Sequence, residues 1–333
     1  MTRSGPLVVV GDVLLDIDIT GRADRAGPGA AVPVVDFVSR RTRPGGAGLA
    51  ALLAAAATPE VVLVGAFGVD AGAERLRRLL AGRVRVTELL LHGSTVRRQR
   101  VRALGASTPT RAPDGTASDG AAESSTPRPR APAAVARVLS GSGRAGTDPL
   151  PGSARAALRS AGAILVADHG RGVTAHPELR ALLAQRARQV PIAWAPHPYG
   201  STPVPGVALA TPDRSYAAAL VPGPFDSGTR ARELVRRWES RSVAVTLGAH
   251  GAVFYRHGAR AYFPIPVPRQ LYVRGSPDAY GAGDMFAVTA ATALHTGHGL
   301  AYAVRRAVES AAEFVWAGAV SGTPPVRDLQ QHA

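Results

Sequence analysis

The strongest constraint on the fold is a series of short, continuous apolar runs that close on small or acidic residues: "PLVVVGD", "EVVLVGAFGVD", "AILVADHGRG", "VPIAWAPH" and "SVAVTLGAHG". A strand covered on both faces reads as such a run rather than as an alternation of apolar and polar positions. Helical patterns lie between them, among them "AGLAALLAAAA", "AGAERLRRLLAG", "HPELRALLAQRARQ" and "GTRARELVRRWESR", and "GLAYAVRRAVESAAEFVWAGAV" follows near the end. Strands alternating with helices predict an α/β fold with a mainly parallel sheet. A chain of 333 residues has room for one large domain with a small appendage.

The rhythm fails over residues 103–153, which are rich in Pro, Ser, Gly, Thr and Ala and almost devoid of large apolar side chains. This composition predicts a mobile, low-complexity loop over about residues 105–150.

Missing residue types narrow the chemistry. The chain has no cysteine, which excludes disulfides, thiolate zinc sites and cysteine nucleophiles. It also has no lysine and no asparagine, so a Walker A loop, a Schiff-base enzyme and the protein-kinase catalytic set are excluded. All 39 basic residues are therefore arginine; against 24 acids they give a formal charge of 39 − 24 = +15, which favours anionic partners such as phosphates. The arginines are spread along helices and loops and are not interleaved with aromatics, which argues against a nucleic-acid face. No run approaches the roughly 20 apolar residues needed to span a bilayer, so a cytoplasmic protein is expected. His169, His197 and His250 lack metal-ligand spacing and read as loop or pocket-wall residues; no protein metal-ligand set is predicted.

One stretch carries specific chemistry: "SPDAYGAGDMFAVTAATAL", residues 276–294. Gly281, Ala282 and Gly283 precede an apolar helix, which places unsatisfied N–H groups and the positive end of a helix dipole at one point. With no Cβ in the way, an anion such as a phosphate can approach. Asp284 suits either a helix-capping role or the removal of a proton from an attacking hydroxyl.

"DAYGAGDMF" resembles the DxxGAGDxF motif of the ribokinase-like (PfkB) carbohydrate kinases, and within them the chain is most similar to kinases of heptose phosphates. The similarity runs in order along the chain, through "GDVLLDIDITGRADRAGPGAAVPVV", "PGGAG", "STVRRQRV", "AILVADHGRG", "TPDRS" and "VTLGAHG". It implies a three-layer α/β/α domain with a small β lid built from about residues 12–40 and 92–104, transfer of a phosphoryl group from ATP with Mg²⁺ to a sugar or sugar phosphate, and a homodimer formed through the lid. By the same resemblance, Asp284 is the general base and Gly281, Ala282 and Gly283 form the anion hole. Asp12, Asp16, Gly45, Gly46, Thr95, Arg98, Arg100 and Asp168 match substrate-side positions. Asp213, Thr246, Gly248, Gly251 and Asp278 match positions bordering the nucleotide. As residues alone, Asp16 and Asp18 also fit one side of an alternating strand, the glycines fit loop and hairpin punctuation, and Asp278 fits a turn.

The chain departs from the pattern at three positions. Leu49 replaces an asparagine that reads hydroxyls, Ala195 replaces an acid, and Tyr216 stands where a glutamate near magnesium is expected. Two readings follow: an active kinase with altered substrate, or a protein of the same fold that binds nucleotide or sugar phosphate, or serves as a partner subunit, with little turnover.

Overall fold

The computed structural model describes residues 4–26, 33–104, 133–273 and 277–319. They divide into two compact units, one of residues 4–15, 43–96, 141–273 and 277–319, the other of residues 16–26, 33–42, 97–104 and 133–140.

The first unit is built on a ten-stranded sheet. Its central strands are the five predicted apolar runs, β1 (Leu7–Gly11), β4 (Val61–Phe67), β9 (Ala163–Ala167), β10 (Ile192–Ala195) and β12 (Ser242–Thr246), joined by β5 (Arg85–His92) and the short β11 (Leu209–Ala210). In spatial order β12-β11-β10-β9-β1-β4-β5 they are all parallel. Antiparallel strands close the two ends: β13 (Ala252–Arg256) and β14 (Phe263–Ile265) beyond β12, and the short β8 (Arg144–Ala145) beyond β5.

Alternate residues of the central strands feed separate cores. Val8, Val10, Val62, Val64, Ile164 and Val166 pack with α3 (Gly152–Ser160), α4 (Pro177–Arg186), α5 (Arg214–Leu220) and α6 (Ser227–Arg237). On the opposite face, Leu7, Val9, Leu63 and Leu165 pack with α1 (Ala47–Ala55), α2 (Ala71–Leu80) and α7 (Ala282–His295), and α8 (Leu300–Trp316) packs beside α7. Burial on both faces explains why the strands read as unbroken apolar runs. This unit is the expected three-layer α/β/α sandwich.

The second unit is a four-stranded sheet in the order β3-β2-β6-β7, drawn from β2 (Val13–Ala26), β3 (Pro33–Gly46), β6 (Arg97–Leu104) and β7 (Ala133–Ser140). A small β unit is thus present, and it includes a strand that the sequence reading placed in a loop. Residues 133–140, expected to belong to a mobile loop, form β7 and pair antiparallel with β6, from Arg97 opposite Ser140 to Ala103 opposite Ala133. Residues 144–145, in the same expected loop, form the edge strand β8. Residues 105–132 of that loop lie outside the described residues.

The parallel strands set the position of the site. Gly11 is in register with Ala167, and Ala167 with Ala195, so Asp12 and Asp168 leave the sheet side by side at its carboxyl edge, where open α/β sheets bind ligands.

Candidate active site

Asp12 is 2 % exposed and is fully engaged by its own fold. Its carboxylate accepts the backbone N–H groups of His169 (2.9 Å), Arg171 (2.9 Å) and Val173 (3.1 Å), and its carbonyl accepts Ala47 N–H at 3.0 Å. Asp168, 3 % exposed, accepts from Gly170 N–H (2.9 Å), the Thr174 hydroxyl (2.7 Å) and Ser201 N–H (2.8 Å). Burial pushes the Asp168 carboxyl above its ordinary value, against the pull of the Gly170 and Thr174 donors. Both acids therefore organise the loop after β9. A sugar hydroxyl would have to share oxygens that already hold backbone donors.

Gly46 ends β3 at φ 58° and ψ −134°, a conformation closed to other residues, and a Cβ there would sit 2.4 Å from the Asp12 carbonyl oxygen. It would also meet the His169 ring at 2.9 Å, so the Gly45-Gly46 turn lies directly against that histidine. Leu49, two residues into α1, is buried.

Across from this turn, Gly281 takes φ 84° and starts α7. Of the three amides expected in the anion hole, that of Ala282 donates to the Ala279 carbonyl at 3.1 Å. Gly283 lies in the first helical turn, which has no intrahelical acceptor for its N–H, and no atom stands within 4 Å of where its Cβ would be. Asp284, on that same turn, is 17 % exposed and brings Oδ1 to 3.8 Å from His169 Nε2. Asp278 accepts Tyr280 N–H at 3.1 Å, shaping the turn, and the Arg43 guanidinium lies 5.9 Å above the Tyr280 ring. His169, read from the sequence as a loop or pocket-wall residue, thus stands against Asp284, and Arg43, visible in the sequence only as one of many arginines, stands over Tyr280.

The residues expected along the nucleotide also assemble. Asp213 forms a parallel bridge with Thr246 and caps α5, accepting Tyr216 N–H at 2.8 Å. The turn after β12 carries Gly248 at φ 60° and Gly251 at φ 85°; Gly248 has open space around it, whereas a Cβ on Gly251 would collide with the Ile265 carbonyl. Tyr216 is buried, and that burial, helped by the Asp168 charge, holds its phenol above the ordinary value and so neutral. Ala195 contributes a carbonyl that accepts Asp168 N–H at 3.2 Å.

The remaining substrate-side residues have internal partners. Thr95 is buried; its N–H (2.9 Å) and hydroxyl both donate to Asp70, the N-cap of α2, so it anchors that helix. In the four-stranded unit, Arg98 donates to both oxygens of Asp16 (2.9 and 3.1 Å), and the buried Arg100 does the same to Asp18 (2.6 and 3.0 Å). The arginines expected to meet a sugar phosphate are thus bidentate partners of the acids on the neighbouring strand.

Comparison with known proteins fits this arrangement. Residues 179–324 match the model of the pfkB family carbohydrate kinases. The chain carries a PfkB-family domain. It is 41 % identical to the bifunctional protein HldE of Streptomyces coelicolor, over 97 % of this chain and 63 % of that protein. With the bifunctional protein HldE of Azorhizobium caulinodans it shares 30 % identity over 93 % of this chain and 61 % of that protein. The chain therefore spans about three fifths of the length of these relatives. Among solved structures, Arabidopsis thaliana ribokinase, complexed with ribose and ATP, superposes with a TM-score of 0.65 at 18 % identity, covering 97 % of this chain and 96 % of that one. The fold is ribokinase-like. Among the described residues, no helix is long and apolar enough to cross a membrane.

Proposed function

We propose that this PfkB protein transfers the γ-phosphoryl group of ATP to a hydroxyl of a sugar or sugar phosphate, with a heptose-phosphate-like acceptor favoured by the ordered motifs of its sequence. The observation that carries this reading is the start of α7, where Gly283, with open space at the position of a Cβ, stands beside Asp284 on the first helical turn. Asp284 takes the proton of the acceptor hydroxyl as its oxygen attacks, and the first-turn amides offset charge on the transferred group's oxygens. One preorganised donor of this kind contributes about 3 to 4 kcal/mol to lowering the barrier. Thr246 and the 248–251 turn border the nucleotide. ATP binding is supported by the likeness to a ribokinase described with ATP, and the fold supports it further.

Among the described residues, no group of three or more His, Asp or Glu could hold a metal ion. Mg²⁺ keeps several waters and binds largely through nucleotide phosphates; there it would neutralise phosphate charge. A homodimer through the four-stranded unit is also proposed. Phe37 (67 % exposed) and Val38 on edge strand β3, and Val138 and Leu139 on edge strand β7, offer apolar surface that a second copy would cover.

The competing reading is a binding protein with little turnover. It draws on Tyr216 in place of an acid and on the prior engagement of Asp12 and Asp168. An assay of ADP release against a panel of sugars and sugar phosphates separates the two. The kinase reading expects turnover on at least one phosphorylated sugar, and no turnover on any member, despite ATP binding by thermal shift, would leave the binding reading.

A further inference from the structure

His169 is held in place from three directions. Its N–H is fixed by the Asp12 carboxylate at 2.9 Å, and its ring lies against Gly46, where a Cβ would come within 2.9 Å of Cδ2 and 3.3 Å of Nε2. The His197 ring, centred 6.1 Å away, stands on its other flank. From this seat Nε2 reaches 3.8 Å from Asp284 Oδ1, with both side chains 17 % exposed. That separation suits an ion pair and is too long for a direct hydrogen bond. Residues more than a hundred positions apart in the chain are thus joined at the carboxylate proposed as the base.

We propose that His169 is a positioning residue for Asp284: its imidazolium keeps the carboxylate ionised and turned toward the Gly45-Gly46 side, where the acceptor would sit. An opposite charge at this range favours the ionised acid, and a partly buried setting screens it less than water would. The groups facing His169 are consistent with this. Asp12, from the end of β1, and Asp168, on its own loop, direct their oxygens to backbone and hydroxyl donors; His197 faces it from the segment after β10, and Asp284 faces the ring from α7. The pairing itself rests on geometry; only its catalytic consequence rests on the kinase reading.

The test is histidine-detected NMR titration of the full chain, with the His169 signal assigned through His169→Gln. In the unmodified protein His169 should titrate about one pH unit higher than in Asp284→Asn. In a phosphorylation assay, the acid limb of kcat/KM should move upward by about one pH unit in His169→Gln, with KM for ATP unchanged. If His169→Gln does not fold, the comparison with Asp284→Asn still decides, since that variant keeps the histidine. Equal His169 midpoints in the unmodified protein and Asp284→Asn would overturn the proposal. A shifted midpoint with no phosphorylation of any acceptor would sustain the pair and sink the kinase reading instead.

Discussion

Asp12 and Asp284 both stand beside glycines, and the sequence motifs propose both as site residues, yet their surroundings differ. Asp12 is buried under three backbone donors, whereas Asp284 sits on an open helical turn, 17 % exposed and facing a histidine. A carboxylate held by three backbone donors shapes a loop, whereas the one on the first turn of α7 is the residue proposed for chemistry. The same division separates Asp168 and Thr95, which are internally bonded, from the Gly281–Gly283 turn.

The largest effect expected from this contrast is on stability at Asp12. Asp12→Ala would strand three buried N–H groups, each costing about 1 to 3 kcal/mol, so a loss of roughly 4 kcal/mol or more is expected in denaturant melts. A loss under about 1 kcal/mol would place Asp12 with Asp284 instead. Next comes the four-stranded unit, where Arg100→Ala would leave Asp18 buried without its partner at a cost of about 3 kcal/mol or more. Arg98→Ala, at a more exposed pair, should cost clearly less in the same melts.

Asp168 sharpens the comparison through pH. Its folded-state pKa is raised, so the folded chain holds this proton to higher pH than the unfolded chain does. This group's contribution to stability is therefore greatest below its ordinary value of 3.8 and falls as pH rises through the folded value. The Tm of the unmodified protein relative to Asp168→Asn, which has no such titration, should decline over that interval. A relative Tm that rises there would contradict the assigned cause. The smallest effect is expected at Asp213, whose helix cap is worth about 1 kcal/mol, so Asp213→Ala should lower Tm by only a few degrees.

The parallel sheet was legible because two-sided burial leaves an unambiguous apolar signature, and the α7 turn was legible because small residues before an apolar helix have few other uses. Elements without such marks were missed. The α3 helix buries only Ala154, Ala157 and Leu158, so "GSARAALRS" resembles the loop before it. Strand β7 is largely exposed and takes its conformation from pairing with β6 rather than from its own composition. The α5 helix starts within "TPDRS", which the sequence marks only as a motif, although Asp213 is its cap. At the site, residue type could not separate Asp12 from Asp284, because the donors that occupy Asp12 are main-chain groups from residues about 160 positions away.

The central claim is that Asp284 acts in chemistry while Asp12 acts in folding, and one paired measurement tests it most directly. Asp284→Asn and Asp12→Asn are compared for phosphoryl transfer and for thermal unfolding in the same buffer. The account predicts that Asp284→Asn loses turnover by about a thousand-fold with Tm within a few degrees of the unmodified protein, while Asp12→Asn melts much earlier. Undiminished turnover in Asp284→Asn, or an Asp12→Asn protein of unchanged Tm that has lost activity alone, would contradict it.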